Sequence, residues 1–196
     1  KAWRYPAAFF RQVQNSLLIR YKWEAIEKHW NAIPADKTVR LFVDGDFPDR
    51  KILKAFMDLC KGRQDLKVYG YSKSWSEFVS LSASGYVFPT NYLVNQSSGS
   101  KWENTGIGNA FKALPIVRGR FDAVEVDKAF IQSKAYQDKA NAGSNAYRKA
   151  VREKLKALHT KVFACPGNCG NCLPNGKHAC GSNSFASVTI GIGIHG

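Results

Sequence analysis

Four cysteines crowd into the stretch from Cys165 to Cys180, at Cys165, Cys169, Cys172 and Cys180, while the fifth, Cys60, stands alone in an apolar helical pattern. Small secreted domains scatter even numbers of cysteines along the chain as a disulfide framework. A tight cluster in an otherwise cysteine-poor sequence reads instead as ligation of a metal centre in a reducing cytosol. Thiolates need a backbone that can curl around one point, and Gly167, Asn168, Gly170 and Asn171 permit the turns and positive φ values this demands. The gaps are Cys-x3-Cys-x2-Cys and then a lone Cys180, unlike the paired Cys-x2-Cys knuckles of zinc ribbons. That favours a [4Fe–4S] cluster, with Zn2+ as the alternative. His159 and His178 are nearby alternative ligands, though a histidine beside such a centre more often supports it from outside.

Beyond Cys165 the chain carries little large apolar bulk other than Leu173, Phe185, Val188, Ile190, Ile192 and Ile194, and it is rich in glycine. Glycine raises the entropy of ordering, so ligation is expected to hold this segment in place.

Upstream, the pattern is that of an α/β domain. Phe10, Val13, Leu17, Ile26 and Trp30 recur at helical intervals between Ala7 and Trp30, as one long helix or two short ones. Residues 39–43 read as a buried strand ending at Asp44-Gly45-Asp46, and Asp49 is placed to cap a helix whose stripe is Ile52, Leu53, Phe56, Leu59 and Cys60. A strand over 66–71, a helix capped by Ser74 and running through Leu81, and extended runs over 85–88 and 91–95 follow. Residues 96–108 read as a binding loop, 114–118 as a strand, 128–142 and 145–158 as lysine-rich helices, and 161–164 and 188–194 as final strands. Strand and helix in alternation imply a parallel sheet with crossover helices, open or closing part-way into a barrel. Residues 1–160 form the α/β domain with its N-terminal helix, and 161–196 the cysteine segment packed on it.

No stretch approaches the ~20 continuous apolar residues that span a bilayer, so no membrane is expected as a partner. Lysine and arginine number 29 against 15 acidic residues, a net charge of +14. A field of that sign attracts polyanions, of which nucleic acid is the foremost. Parallel sheets place their chemistry at the carboxyl ends of strands, where Asp44 and Asp46 stand. Such a pair can hold Mg2+ or act as acid and base, with Lys73 on the neighbouring strand end completing a candidate catalytic set. Arg40 and Lys73 can meet phosphates, Tyr71 and Trp75 can stack on bases, and Arg148, Lys149 and Arg152 offer a phosphate-contacting helix face.

Arg40, Gly45-Asp46-Phe47 and Gly70-Tyr71-Ser72-Lys73-Ser74, in this order, together with the Cys-Pro-Gly at Cys165, resemble the phage and plasmid family called gene product 88. The family's strand has Thr where this chain has Ser72. The resemblance implies a mobile-element protein, a barrel-like α/β fold with cysteine clusters, distant kinship with radical enzymes that share the Cys-x3-Cys-x2-Cys spacing, and a second cluster ahead of Lys1. The leading expectation is a cytoplasmic phage or plasmid protein, in its host cell, whose metal or iron–sulfur centre builds a nucleic-acid-binding domain. The competing one is an enzyme, either a Mg2+-dependent phosphodiesterase at Asp46 or a radical-type barrel enzyme.

Overall fold

The computed structural model describes residues 6–42, 45–126, 145–166, 172–173 and 178–194. Asp44, Cys169 and the segment 128–142 lie outside them. The N-terminal pattern resolves into two helices, α1 (Pro6–Tyr21) and α2 (Trp23–Asn31). There follow β1 (Thr38–Leu41), α3 (Arg50–Gly62), β2 (Lys67–Ser72), α4 (Trp75–Ala83), β3 (Tyr92–Ser97), α5 (Gly106–Lys112), β4 (Val117–Glu125), α6 (Asn145–Lys156), β5 (Val162–Ala164) and β6 (Thr189–Ile194). Among the described residues no helix is long and apolar enough to cross a membrane.

Asp49 caps α3 as its sequence position foretells, its carboxylate accepting the Ile52 N–H at 2.8 Å. Ser74 occupies the cap position of α4 without making the cap bond; its hydroxyl donates to the Phe47 carbonyl instead. Residues 85–88 form no strand, because Phe88 turns into the core under α4 rather than pairing. Helix α5, capped by Thr105, begins inside the stretch expected to be loop and runs beyond its end.

All six strands run parallel in the order β1-β2-β3-β4-β6-β5. The sheet is open: β1 and β5 are its edges and do not pair, so no barrel closes. Alternation along each strand gives the sheet two faces. Val68, Tyr92 and Val94 pack with Leu53, Phe56, Phe78 and Phe111 of the crossover helices, and Val124 and Ala164 pack under Val151 and Leu155 of α6. The opposite face, through Tyr69, Tyr71, Leu93, Phe121, Phe163 and Ile190, is covered by the cysteine segment with Ala179, Cys180, Leu173 and Phe185.

That segment joins two strands that are themselves neighbours, since β6 slots between β4 and β5. Its glycines have a packing reason. A Cβ on Gly191 would stand 2.6 Å from Leu155 Cδ2, and one on Gly193 2.7 Å from Val126 Cγ2 and 2.9 Å from the Tyr147 ring. Only glycine lets α6 lie this close to the sheet.

The second anchorage is polar. Arg118 of β4 is 1% exposed. Its Nε donates to Asn95 Oδ1, its Nη1 to the carbonyls of Phe185 (2.7 Å) and Val188 (3.2 Å), and its Nη2 to that of Arg120 (2.9 Å). Asn95 in turn donates to the Gly70 and Cys180 carbonyls, each at 2.9 Å. The sheet thus holds residues 180–188 by side chains that sequence reasoning left unassigned. Arg118→Met is expected to leave these acceptors buried and unpaired, lowering stability by about 3 kcal/mol or more, which for a chain of this size is read as a melting temperature lower by roughly 6–12 °C. An unchanged melting curve would refute the anchorage.

Cys60 is fully buried in the helical core, as its pattern implies, and burial pushes its thiol up to about 12. The folded protein therefore holds a proton that the unfolded chain loses near its ordinary value of 9.0, so stability is expected to fall as pH rises from there toward about 12. Urea unfolding across that range checks the slope, and Cys60→Ala should flatten it.

Candidate functional site

The carboxyl ends of the strands open into a cavity of about 740 Å3. β1 contributes Arg40, β2 Tyr71 and Ser72, β3 Ser97, β4 Phe121 and β6 Ile192, while Phe42 follows β1 and Cys165 enters just past β5. The loops above supply Gly45, Asp46, Lys73, Ser74, Gly99, Ser100 and Lys101. Parallel pairing is what gathers them, because every strand delivers its end to the same edge. Arg40, Asp46 and Lys73 all line this cavity. Phe42 leaves β1 with φ +52, a left-handed conformation uncommon for a bulky residue, and its ring is held edge-on by Phe47 (4.8 Å) and Phe56 (5.3 Å).

Asp46 organises the rim. Its Oδ1 accepts the Phe47 N–H (2.8 Å) and the Ser72 hydroxyl (2.9 Å), and its Oδ2 accepts the N–H groups of Lys73 (2.5 Å) and Ser74 (3.0 Å). A carboxylate so engaged acts on the loop after β2: it fills the amino end of α4 with an internal anion and fixes where Lys73 departs. Ser100 Oγ donates to the Lys73 carbonyl at 2.9 Å, so the lysine's peptide is held from both sides.

The expected aromatic pair divides. Tyr71 lines the cavity, with the Arg40 guanidinium 4.7 Å over its ring and Phe121 edge-on at 4.5 Å. Trp75 does not; it is 0% exposed, stacked on Phe111 at 5.4 Å, with its Nε1 donating to the Ser72 carbonyl at 2.7 Å. Trp75 is a core residue and offers no face to a base. Lys149 and Arg152 project from α6 as exposed cations, and the Arg148 guanidinium lies 5.5 Å over the Phe163 ring; none of the three lines the cavity.

Cys165, Cys172 and Cys180 belong to one cluster on the covered sheet face, beside the cavity. Cys180 is buried, and burial pushes its thiol up to about 12; negative charge on Cys165 or Cys172 pushes the same way, while Tyr71 and Arg118 pull it down. Tyr71 packs in the same cluster as Cys180, and the Ala179 N–H donates to Cys172 Sγ at 3.4 Å. Among the described residues no group of three or more His, Cys, Asp or Glu side chains that could hold a metal ion is assembled, and Cys169 lies outside them. His178 faces the Tyr69 hydroxyl at 3.3 Å with its pKa lowered by burial, and His159 pairs with Asp122 Oδ2 at 2.7 Å.

Sequence reasoning missed Arg118 and Asn95, which bear on Cys180, and Ser97, Ser100 and Lys101, whose only signal was the polar composition of the stretch after β3. In comparison with known families, Gene product 88 matches residues 4–185. The chain belongs to that family. Comparison with curated proteins and with solved structures returns no match.

If Asp46 holds the rim, Asp46→Ala is expected to lower stability by about 2 kcal/mol, because four donors lose a charged acceptor at a half-buried site. Asp46→Asn, which keeps one carbonyl oxygen, should lose about half as much. Equal stability of all three proteins in urea unfolding would show that water replaces the carboxylate without penalty.

Proposed function

We propose that this member of the Gene product 88 family carries a thiolate-ligated centre on Cys165, Cys169, Cys172 and Cys180, a [4Fe–4S] cluster with Zn2+ as the alternative, within a domain that binds nucleic acid. The observation that carries the first half is the setting of the sulfurs. Three of the four cysteines share one patch with Tyr71, Cys172 receives the Ala179 N–H, and the buried Arg118 guanidinium favours the charged form of Cys180. Sulfur-directed donors and a fixed cation are what a negatively charged thiolate centre requires from the residues around its ligands. When bound, such a centre would tie the loop between β5 and β6 to the sheet; the chain's own residues orient the sulfurs and balance their charge.

The second half rests on charge and its placement. The net +14 gives a long-range attraction for polyanions, and Arg40, Lys73 and Lys101 concentrate part of it in one cavity. Lys149 and Arg152 add an exposed basic face on α6. The phosphodiesterase alternative draws less support, since both Asp46 oxygens are engaged by the loop after β2. The phage or plasmid context and the host cytoplasm come from the family resemblance and from the reduced-thiol chemistry.

Two measurements decide it. Protein purified without air is expected to contain iron and acid-labile sulfide in equal amounts with visible absorption, or zinc without colour, and Cys172→Ser should lose most of that metal. Absence of both metals from protein made with iron and zinc supplied would sink the centre. In filter binding, affinity for DNA or RNA should fall linearly on a logarithmic plot against salt, at about 0.7–0.9 of a unit per phosphate contacted. No salt-dependent binding at low ionic strength would sink the nucleic-acid half.

A further inference from the structure

We infer that the cavity at the carboxyl ends of β1, β2 and β3 receives a terminal phosphate, the phosphomonoester end of a nucleic-acid strand or a nucleotide. The inference rests on the nucleic-acid reading and narrows it from a surface that tracks a backbone to a recess that takes an end.

Charge is the first argument. Arg40, Lys73 and Lys101 line the recess; among the described residues the carboxylate beside them is that of Asp46, both of whose oxygens point into donors, the Phe47 N–H and groups of the loop after β2. A phosphomonoester carries about −1.5 to −2 at neutral pH and three free acceptor oxygens, whereas an internal phosphodiester carries a single charge. A three-cation recess matches the first.

Preorganisation is the second. Lys73 is not a lysine on a loose loop. Its N–H is held by Asp46, its carbonyl by Ser100, and its ammonium rests against Gly99, where a Cβ would stand 3.3 Å from Nζ. Gly99 itself has φ +74, a conformation that favours glycine, so the chain after β3 can bend over the ammonium only with glycine there. Arg40 is similarly steadied on the Tyr71 ring. Cations fixed before a ligand arrives lose little entropy on binding it.

Shape is the third. About 740 Å3 lies within the range of pockets that enclose one small ligand, roughly 300–1,000 Å3. Below the cations, Tyr71, Phe121 and Ile192 give an apolar floor for the sugar or base that carries the phosphate. Ser97 adds a hydroxyl at the end of β3.

The test uses the full chain and one labelled single-stranded oligonucleotide prepared with a 5′-phosphate, with a 3′-phosphate, and with hydroxyls at both ends, followed by anisotropy at fixed low salt. A phosphate-ended strand should bind about tenfold more tightly than the hydroxyl-ended strand, a difference set by one charge-assisted contact. A nucleoside monophosphate should compete while the nucleoside does not. Lys73→Gln and Lys101→Gln, which leave the backbone bonds of the rim intact, should each erase the preference. Lys67→Gln removes the same charge at the amino end of β2, away from the recess, and should keep it. Equal affinity for phosphate- and hydroxyl-ended strands, both binding well, would overturn the inference and leave the nucleic-acid reading standing. If no strand binds but the monophosphate still does, and Lys73→Gln abolishes that, the recess is a nucleotide site and the nucleic-acid reading falls. Binding of neither refutes both.

Discussion

A guanidinium buried inside a sheet-and-segment sandwich is the constraint on which this structure turns. Arg118 gives up its hydration, and that is tolerated only if its donors find acceptors whose own hydration is also lost. The acceptors are backbone carbonyls of Phe185 and Val188 together with Asn95, so the arginine is satisfied only when the stretch after Cys180 lies across the sheet. Asn95 extends the same bond row to Gly70 of β2 and to the Cys180 carbonyl. Three neighbouring strands and the cysteine segment thus share one polar seam. The seam also has an electrostatic consequence, because it puts a cation beside the sulfur of Cys180, against the burial that holds that thiol protonated. A thiol pushed up by burial gives its proton to solvent readily only when a metal takes its place, and a neighbouring guanidinium lowers the energy of that exchange.

The second organising fact is the polarity of a sheet in which every pair is parallel. Crossover helices return each strand to the same starting edge, so unlike residues from β1, β2, β3, β4 and β6 arrive together at the far edge without being near in sequence. Asp46 then converts a gathering of loops into a shaped rim. Its carboxylate draws the end of β1 toward the loop after β2, and Ser100 completes the hold from the β3 side. Of the motif residues between Arg40 and Ser74, most fall on this rim; Phe47 anchors the turn by burying its ring against Phe78 at 5.4 Å, and Gly70 is buried in β2 against Tyr92 and Leu41.

Much of the framework was legible in the sequence because it follows short-range rules. The Asp49 cap, the stripe from Ile52 to Cys60, the branched strand read over 39–43 and the alternation of strand and helix each leave a local signature. What escaped did so where a tertiary contact overrode local preference. Helix α5 hides behind Gly106 and Gly108, poor helix formers, yet a Cβ on Gly108 would stand 2.5 Å from the Trp102 carbonyl, so packing demands glycine. β4 runs on past Arg118 through Gly119, Arg120 and Asp122, a composition that reads as loop, because its polar residues are paired with Asn95, Glu103 and His159 inside the fold. Trp75 has the same sequence neighbourhood whether it faces a cavity or the core; only its stacking on Phe111 decides. Asp46 was visible as a candidate by position, but its partners are backbone N–H groups that no residue pattern announces.

The glycines after Val188 show how a correct physical premise can lead to an incomplete conclusion. Glycine does raise the entropy lost on ordering, and few large side chains follow Cys165, so ligation by the cysteines looked necessary to hold the end of the chain. That premise counts side chains alone, although the same sequence reads 188–194 as a final strand. In the fold β6 lies between β4 and β5, bonded along both edges, and the small residues that weaken it in isolation are what admit Leu155 and Tyr147 of α6. The stretch that carries Cys165 to Cys180 is accordingly a connection between two adjacent strands, closed already by their pairing and by the Arg118 seam. Closing a loop that is already closed gains little entropy. Ligation of the kind proposed would therefore act chiefly on the conformation of the connection itself, bringing the sulfurs and the Cys165 edge of the cavity into one arrangement, while the sheet beneath it draws its stability from burial and from the guanidinium.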